Sequence, residues 1–130
     1  MSPDACLLAL ESNTLGRIAI AVAGEAEIFP VNYVLHEGGI YFRTAPGSKL
    51  LGLTANPNVA FEIDGFDDIT AFSVVVKGTA ERLEMQSEIA AADLLELAPW
   101  APTAKYRWVR IVPNTIGGRI FRRGPEPDRD

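Results

Sequence analysis

The stretch Phe72–Glu84, FSVVVKGTAERLE, limits the possible folds more than any other part of the chain. Its first half is apolar on both faces, so it belongs inside a sheet as a central strand. Its second half alternates and runs out into solvent. Gly78 marks a bend or bulge, which a closing sheet needs. A barrel has one interior, so the second apolar face calls for a helix or another subunit to cover it. An apolar fraction of 48% in 130 residues supports a real core and argues against disorder.

The remaining segments read as short strands joined mostly by tight turns. Ala5–Leu10 forms a short helical turn broken by Glu11-Ser12-Asn13. Gly16–Val22, GRIAIAV, alternates Ala19 and Ala21 with Ile18, Ile20 and Val22, a strand with a tightly covered small-residue face. Ala23-Gly24-Glu25 turns the chain into a strand from Ala26 to Leu35. Pro30 places an edge, bulge or bend in that strand. The amide of Asn32 needs a partner if buried, and a ligand and a backbone group both qualify. Asn58–Phe66 is a strand with Val59, Phe61 and Ile63 on one face. Asp64, Gly65 and Asp67-Asp68 end it as a solvated turn rather than a metal loop, which would need more oxygen ligands.

Ser87 reads as the cap of a helix running to Leu97. Pro99-Trp100-Ala101-Pro102 is a rigid loop, with Trp100 a core lid or a subunit contact. Tyr106–Val112 and Ile116–Arg122 are the last two strands. The sum is six to seven strands with two or three short helices, mainly β. One helix is inserted after the third strand, and the order argues for an antiparallel barrel rather than βαβ units. One domain is expected over residues 1–123, with a polar tail at 124–130.

The most informative stretch for function is Phe29–Pro57. A turn at Glu37-Gly38-Gly39 joins two strands, and the second runs to Thr44. Ala45-Pro46-Gly47 follows. Ser48 then caps a short helix with Leu50, Leu51 and Leu53 on its apolar side, and Asn56-Pro57 stops it. Backbone N–H groups at a helix start favour anions. Arg43 and Thr44 at the strand end, with Ser48 and Lys49 at the helix start, have the donors that a phosphate takes. The same residues also suit a capped surface helix with solvated charges.

Composition removes several functions. A net charge of −5 and a pI near 4.9, with no basic stripe, argue against nucleic acid. One cysteine, Cys6, excludes an intramolecular disulfide and disfavours a Cys-based metal site. One histidine, His36, cannot build a His-rich metal site. No signal peptide and no span of membrane length is seen, which makes a cytoplasmic protein the default.

The order of these parts resembles one family. A strand with PVNY, a Gly-Gly turn, a strand ending in RT, GSK opening a helix and NP closing it are similar to the pyridoxamine 5′-phosphate oxidase-like, FMN-binding split-barrel family. VVVKGTAERLE and WVRIVPNTIGGRI fit as well, so the likeness covers Leu15 to about Ile120. The resemblance implies a homodimer with two FMN sites at the subunit interface. It places Phe29, Pro30, Val31 and Asn32 against the flavin ring, Arg43 and Thr44 on the flavin tail, and Ser48 and Lys49 on its phosphate.

One departure stands out. The family's oxidases carry a glutamate and aromatic pair after R-x-x-P, then a basic substrate motif. Here Arg110-Ile111-Val112-Pro113 leads to Ile116-Gly117-Gly118-Arg119. A wider pocket is expected, suited to a planar acceptor rather than to pyridoxamine 5′-phosphate. Arg107, Arg110 and Arg119 are the basic residues on hand for a second phosphate. The leading expectation is a flavin-dependent oxidoreductase acting on a small-molecule donor or acceptor. The alternatives are a deazaflavin (coenzyme F-420) reductase, whose cofactor tail would run along Arg119, Arg122 and Arg123, and a non-catalytic flavin or haem binder with His36 as the haem ligand.

Overall fold

A computed structural model describes residues 1–45, 56–97 and 107–125. In chain order these form α1 (Pro3–Glu11), β1 (Leu15–Val22), β2 (Glu25–Asn32), β3 (Val34–His36), β4 (Gly39–Thr44), β5 (Asn58–Phe66), β6 (Thr70–Arg82), α2 (Gln86–Asp93) and β7 (Arg107–Arg122). All seven strands pair antiparallel in one sheet of order β2-β1-β5-β6-β7-β4-β3. β2 and β3 lie at opposite ends of that order yet follow one another in sequence. The chain therefore joins the two ends of the sheet, which curls into a half-barrel.

Period-two alternation fills the inside. Ile18 and Ile20, Phe61 and Ile63, Val74 and Val76, Ile40 and Phe42, and Val109 and Ile111 are all buried in one cluster. Each such side chain taken out of water contributes roughly 1.5–3 kcal/mol. Helix α1 packs on the same cluster through Cys6 and Leu10. Its start is set by Ser2, whose Oγ accepts the Ala5 N–H, with Pro3 in the first turn. Buried Tyr33 ties the end of α1 to the sheet. Its hydroxyl donates to the Leu10 carbonyl at 2.6 Å, and its ring meets Phe61 edge-on. Burial pushes the Tyr33 phenol far above its ordinary value.

Gly118 makes this packing possible. A Cβ there would stand 2.9 Å from Cys6 Sγ and from Met1 Sδ. The expected bulge at Gly78 is present as a register shift between Lys77 and Gly78, opposite Asn114. A Cβ on Gly78 would lie 2.2 Å from the Val112 carbonyl oxygen, so only glycine fits against the bulged strand.

Five expectations are corrected. The strand expected from Ala26 to Leu35 is two strands, β2 and β3, broken at Tyr33 where the chain changes partner from β1 to β4. The two closing strands are one, β7, whose 16 residues make it longer than β6. The bulge falls at Asn114, next to Pro113, and the ladder continues past the proline. Ala19 and Ala21 are not the covered side of β1, because Ile18 and Ile20 carry more apolar area and take the interior. Ser87 does not cap α2. Met85 holds the cap position without a side-chain bond, and the helix stops at Asp93 rather than Leu97. At the Glu37-Gly38-Gly39 turn, the positive φ angles fall on Glu37 and Gly38, while Gly39 pairs with His36 as the first residue of β4. The helix expected at Ser48 and the loop holding Trp100 lie outside the described residues.

Candidate functional site

The end of β4 carries the first cluster. Arg43 is half-buried and Thr44 is buried. An Arg43 Nη2 donates to the Leu97 carbonyl at 3.1 Å. The guanidinium carbon lies 5.5 Å from the Trp108 ring centroid, which adds a cation–π contact. Trp108 is fixed in turn by its Nε1, which donates to Asp93 Oδ1 at 2.8 Å. Arg43 thus sits on a buried platform made by β7 and the segment after α2. A guanidinium held in one orientation suits bidentate phosphate binding, because less side-chain entropy remains to be lost. The sequence does not mark Trp108 as a site residue. Its only signal was the mixture of aromatic and basic residues from Tyr106 to Val112.

The segment expected to face a flavin ring, Phe29–Asn32, lies on β2. β2 comes into contact with β4, the strand that carries Arg43 and Thr44, although the two are not paired in the sheet. Phe29 packs on the core, Val31 is buried, Asn32 is half-buried and Pro30 is exposed. β2 ends the sheet order, so of the edge, bulge or bend that Pro30 allowed, the strand takes the edge. An edge strand presents backbone donors and acceptors to whatever lies beside it. Ser48 and Lys49 fall outside the described residues.

A second cluster lies on the outer sheet face. Arg17 Nη2 bonds Glu62 Oε1 at 2.7 Å and also bonds Asp64 Oδ2. Burial pushes Glu62 up, while hydrogen bonds from Glu62 and Arg17 hold Asp64 down. On the same face, Ser73, Val75 and Lys77 of β6 stand opposite Arg119, Gly117 and Thr115 of β7. They line a cleft of about 360 Å³.

The other candidate cations differ in availability. Arg110 donates to Glu81, Glu88 and the Tyr41 hydroxyl, which keeps it charged and occupied. It is therefore a poor second phosphate ligand. His36 stands half out of the protein at the hairpin, edge-on to Tyr41 and 3.8 Å from Glu37 Oε1. Among the described residues no three His, Cys, Asp or Glu side chains gather to hold a metal, and no helix is long and apolar enough to cross a membrane.

The curled antiparallel half-barrel, with a cation held at a strand end beside an edge strand, defines a split-barrel protein. Residues 2–120 match the family model for pyridoxamine 5′-phosphate oxidase, and the chain belongs to that family. A Corynebacterium glutamicum protein assigned provisionally as a pyridoxamine 5′-phosphate oxidase is 48% identical, with TM-score 0.88 over 94% of this chain and 96% of its own. An FAD-binding protein of Mycobacterium smegmatis is 41% identical, with TM-score 0.83 over 95% of this chain and 98% of its own. An uncharacterized protein of Mycobacterium tuberculosis is 43% identical over 90 residues, 69% of this chain and 82% of its own.

Proposed function

We propose that this protein is a flavin-dependent oxidoreductase that holds the phosphate end of its flavin at Arg43 and Thr44, with Ser48 and Lys49 completing the site. The observation that carries this reading is Arg43 itself. It is fixed over Trp108 by the Leu97 carbonyl, beside buried Thr44, on a strand that touches β2. Phe29–Asn32 would lie along the flavin ring, where the edge of β2 offers backbone groups to polar ring atoms. The flavin supplies hydride transfer, so the protein needs no nucleophile or acid pair of its own. FMN is the leading cofactor, since its single phosphate matches this one cluster of donors. FAD is a second reading, supported by the FAD-binding relative at 41% identity.

The reading includes a homodimer. Val75, on the outer face of β6, is 40% exposed in the single chain, so the apolar second face of that strand is left open for another subunit. It also excludes efficient oxidation of pyridoxamine 5′-phosphate, because Arg110 is occupied by two carboxylates and Gly117 leaves no wall beside the cleft.

Fluorescence titration of FMN and FAD into wild type and the Arg43→Ala/Lys49→Ala double variant tests the site. Two charge-assisted contacts of roughly 1.5–3 kcal/mol each predict a loss of at least about 100-fold. An unchanged dissociation constant for both flavins in a folded double variant would remove the site. The absorption spectrum of the purified protein separates flavin from deazaflavin and haem.

A further inference from the structure

Given the flavin reading, on which this rests, we infer that Trp108, held by Asp93, is a positioning residue that presets the Arg43 guanidinium for the cofactor phosphate. The end of α2 thereby sets how strongly a phosphorylated flavin is preferred over an unphosphorylated one. An arginine side chain is long and rotamer-rich, and freedom left in it is lost when it grips a phosphate. Holding it beforehand moves that cost from binding to folding. Strand pairing sets Arg43 of β4 directly opposite Trp108 of β7, so both side chains leave the sheet on one face. Trp108 is 3% exposed, and its carbonyl accepts the Leu83 N–H at 3.0 Å. A buried indole needs an acceptor for its one N–H, which lies in the plane of the ring. Asp93 Oδ1 is that acceptor, at 2.8 Å. The bond fixes the rotation of the ring, and with it the face that meets the Arg43 guanidinium 5.5 Å from the ring centroid.

Asp93 orients Trp108 more than it holds α2 down. The helix and the segment after it are anchored by other contacts. Ala92 is buried with Tyr41, Leu83 and Trp108, and Ile89, Leu95 and Leu97 pack on that cluster. Glu88 of the same helix bonds Arg110 at 2.9 Å. Asp93 itself is exposed, so its side chain adds little buried area. What it adds is an angle for the indole. The two arginines under α2 are held differently. Carboxylates hold Arg110 and neutralise it. A ring face and the Leu97 carbonyl carry no formal charge, so these two contacts orient Arg43 and do not neutralise it.

The test is fluorescence titration of the full-length protein with FMN, FAD and riboflavin, since riboflavin has the ring without the phosphate. Trp108→Leu should lower the preference for FMN or FAD over riboflavin roughly three- to tenfold, as loss of a partly desolvated cation–π contact does, with riboflavin affinity unchanged. Exposed Asp93 offers a variant that does not put folding at risk. Asp93→Ala should lower the preference in the same direction and by less. Asp93→Asn keeps an acceptor oxygen for the indole and should restore it. Trp108→Phe combined with Asp93→Ala should be no worse than either change alone, because Asp93 acts through the indole N–H. Parallel loss of FMN and riboflavin affinity would overturn the inference, by giving both residues a structural role only. So would an unchanged preference in the Trp108 and Asp93 variants. If Arg43→Ala still lowered the preference in that case, the phosphate site would stand and the positioning role alone would fall. An unchanged preference in Arg43→Ala would remove the phosphate site, and this inference with it.

Discussion

The two halves of β7 belong to one strand and do opposite things. From Arg107 to Ile111 it pairs with β4 on one side, and from Val109 with β6 on the other. Trp108, Val109 and Ile111 are buried there, and Arg110 is bonded to Glu81, Glu88 and Tyr41. From Thr115 to Arg122, among the described residues, only β6 remains as a paired strand. Ile120 and Phe121 are exposed, and Arg119 has no described ion-pair partner. A cation in the first half finishes the fold, whereas Arg119 in the second stands outside the described ion pairs. The bulge opposite Lys77 and Gly78 separates the two regimes.

The sharpest test uses one substitution at two sites. Ile111 is fully buried and Ile120 is 59% exposed. Ile111→Ala should destabilise by about 2–5 kcal/mol, through lost burial and the cavity it leaves. Ile120→Ala should stay within about 0.5 kcal/mol of wild type. Denaturant unfolding of both variants decides it, and equal losses would erase the contrast.

The glycine pair comes next. Gly118→Ala pushes against Cys6, Met1 and the Ser73 carbonyl oxygen, 3.1 Å away, and should cost about 1–3 kcal/mol. Gly117→Ala meets nothing, so stability should hold or rise by up to about 1 kcal/mol. Thermal melts would show the order, and a Gly118→Ala protein as stable as Gly117→Ala would mean that α1 yields easily.

The arginines give a smaller contrast. Arg110→Gln leaves Glu81 and Glu88 without their cation and should cost about 1 kcal/mol, since all three are partly exposed. Arg119→Gln should cost nothing measurable in stability. A double-mutant cycle of Arg110 with Glu88 would show whether the coupling is real.

The smallest effect is expected in acid, at the turn that pins the far end of β7. The Arg123 N–H donates to the Ile69 carbonyl, and Asp67 accepts the N–H groups of Ile69 and Thr70. Those bonds hold the Asp67 carboxyl below its ordinary value. A depressed folded-state pKa gives stability that is present above the unfolded value and lost as pH falls through the folded one. Asp67→Ala should therefore differ from wild type at neutral pH and converge with it below about pH 4. A gap that persisted in strong acid would point to loop packing instead of the charge.

Local chemistry alone determined much of this protein. Alternation of Val59, Phe61 and Ile63 placed the inner face of β5, because the side-chain period of a strand is two wherever the strand lies. Ala23-Gly24 and Glu37-Gly38 marked their turns, and Pro30 narrowed its strand to an edge, a bulge or a bend. Arg43 and Thr44 were legible as a strand-end pair. Partner choice was not legible, because it depends on contacts distant in sequence. The break at Tyr33 exists because one side of the chain pairs with β1 and the other with β4. The union of two closing strands into β7 exists because β6 is long enough to template both, with Gly78 admitting the bulge. Trp108 became a platform for Arg43 only when register set the two opposite each other.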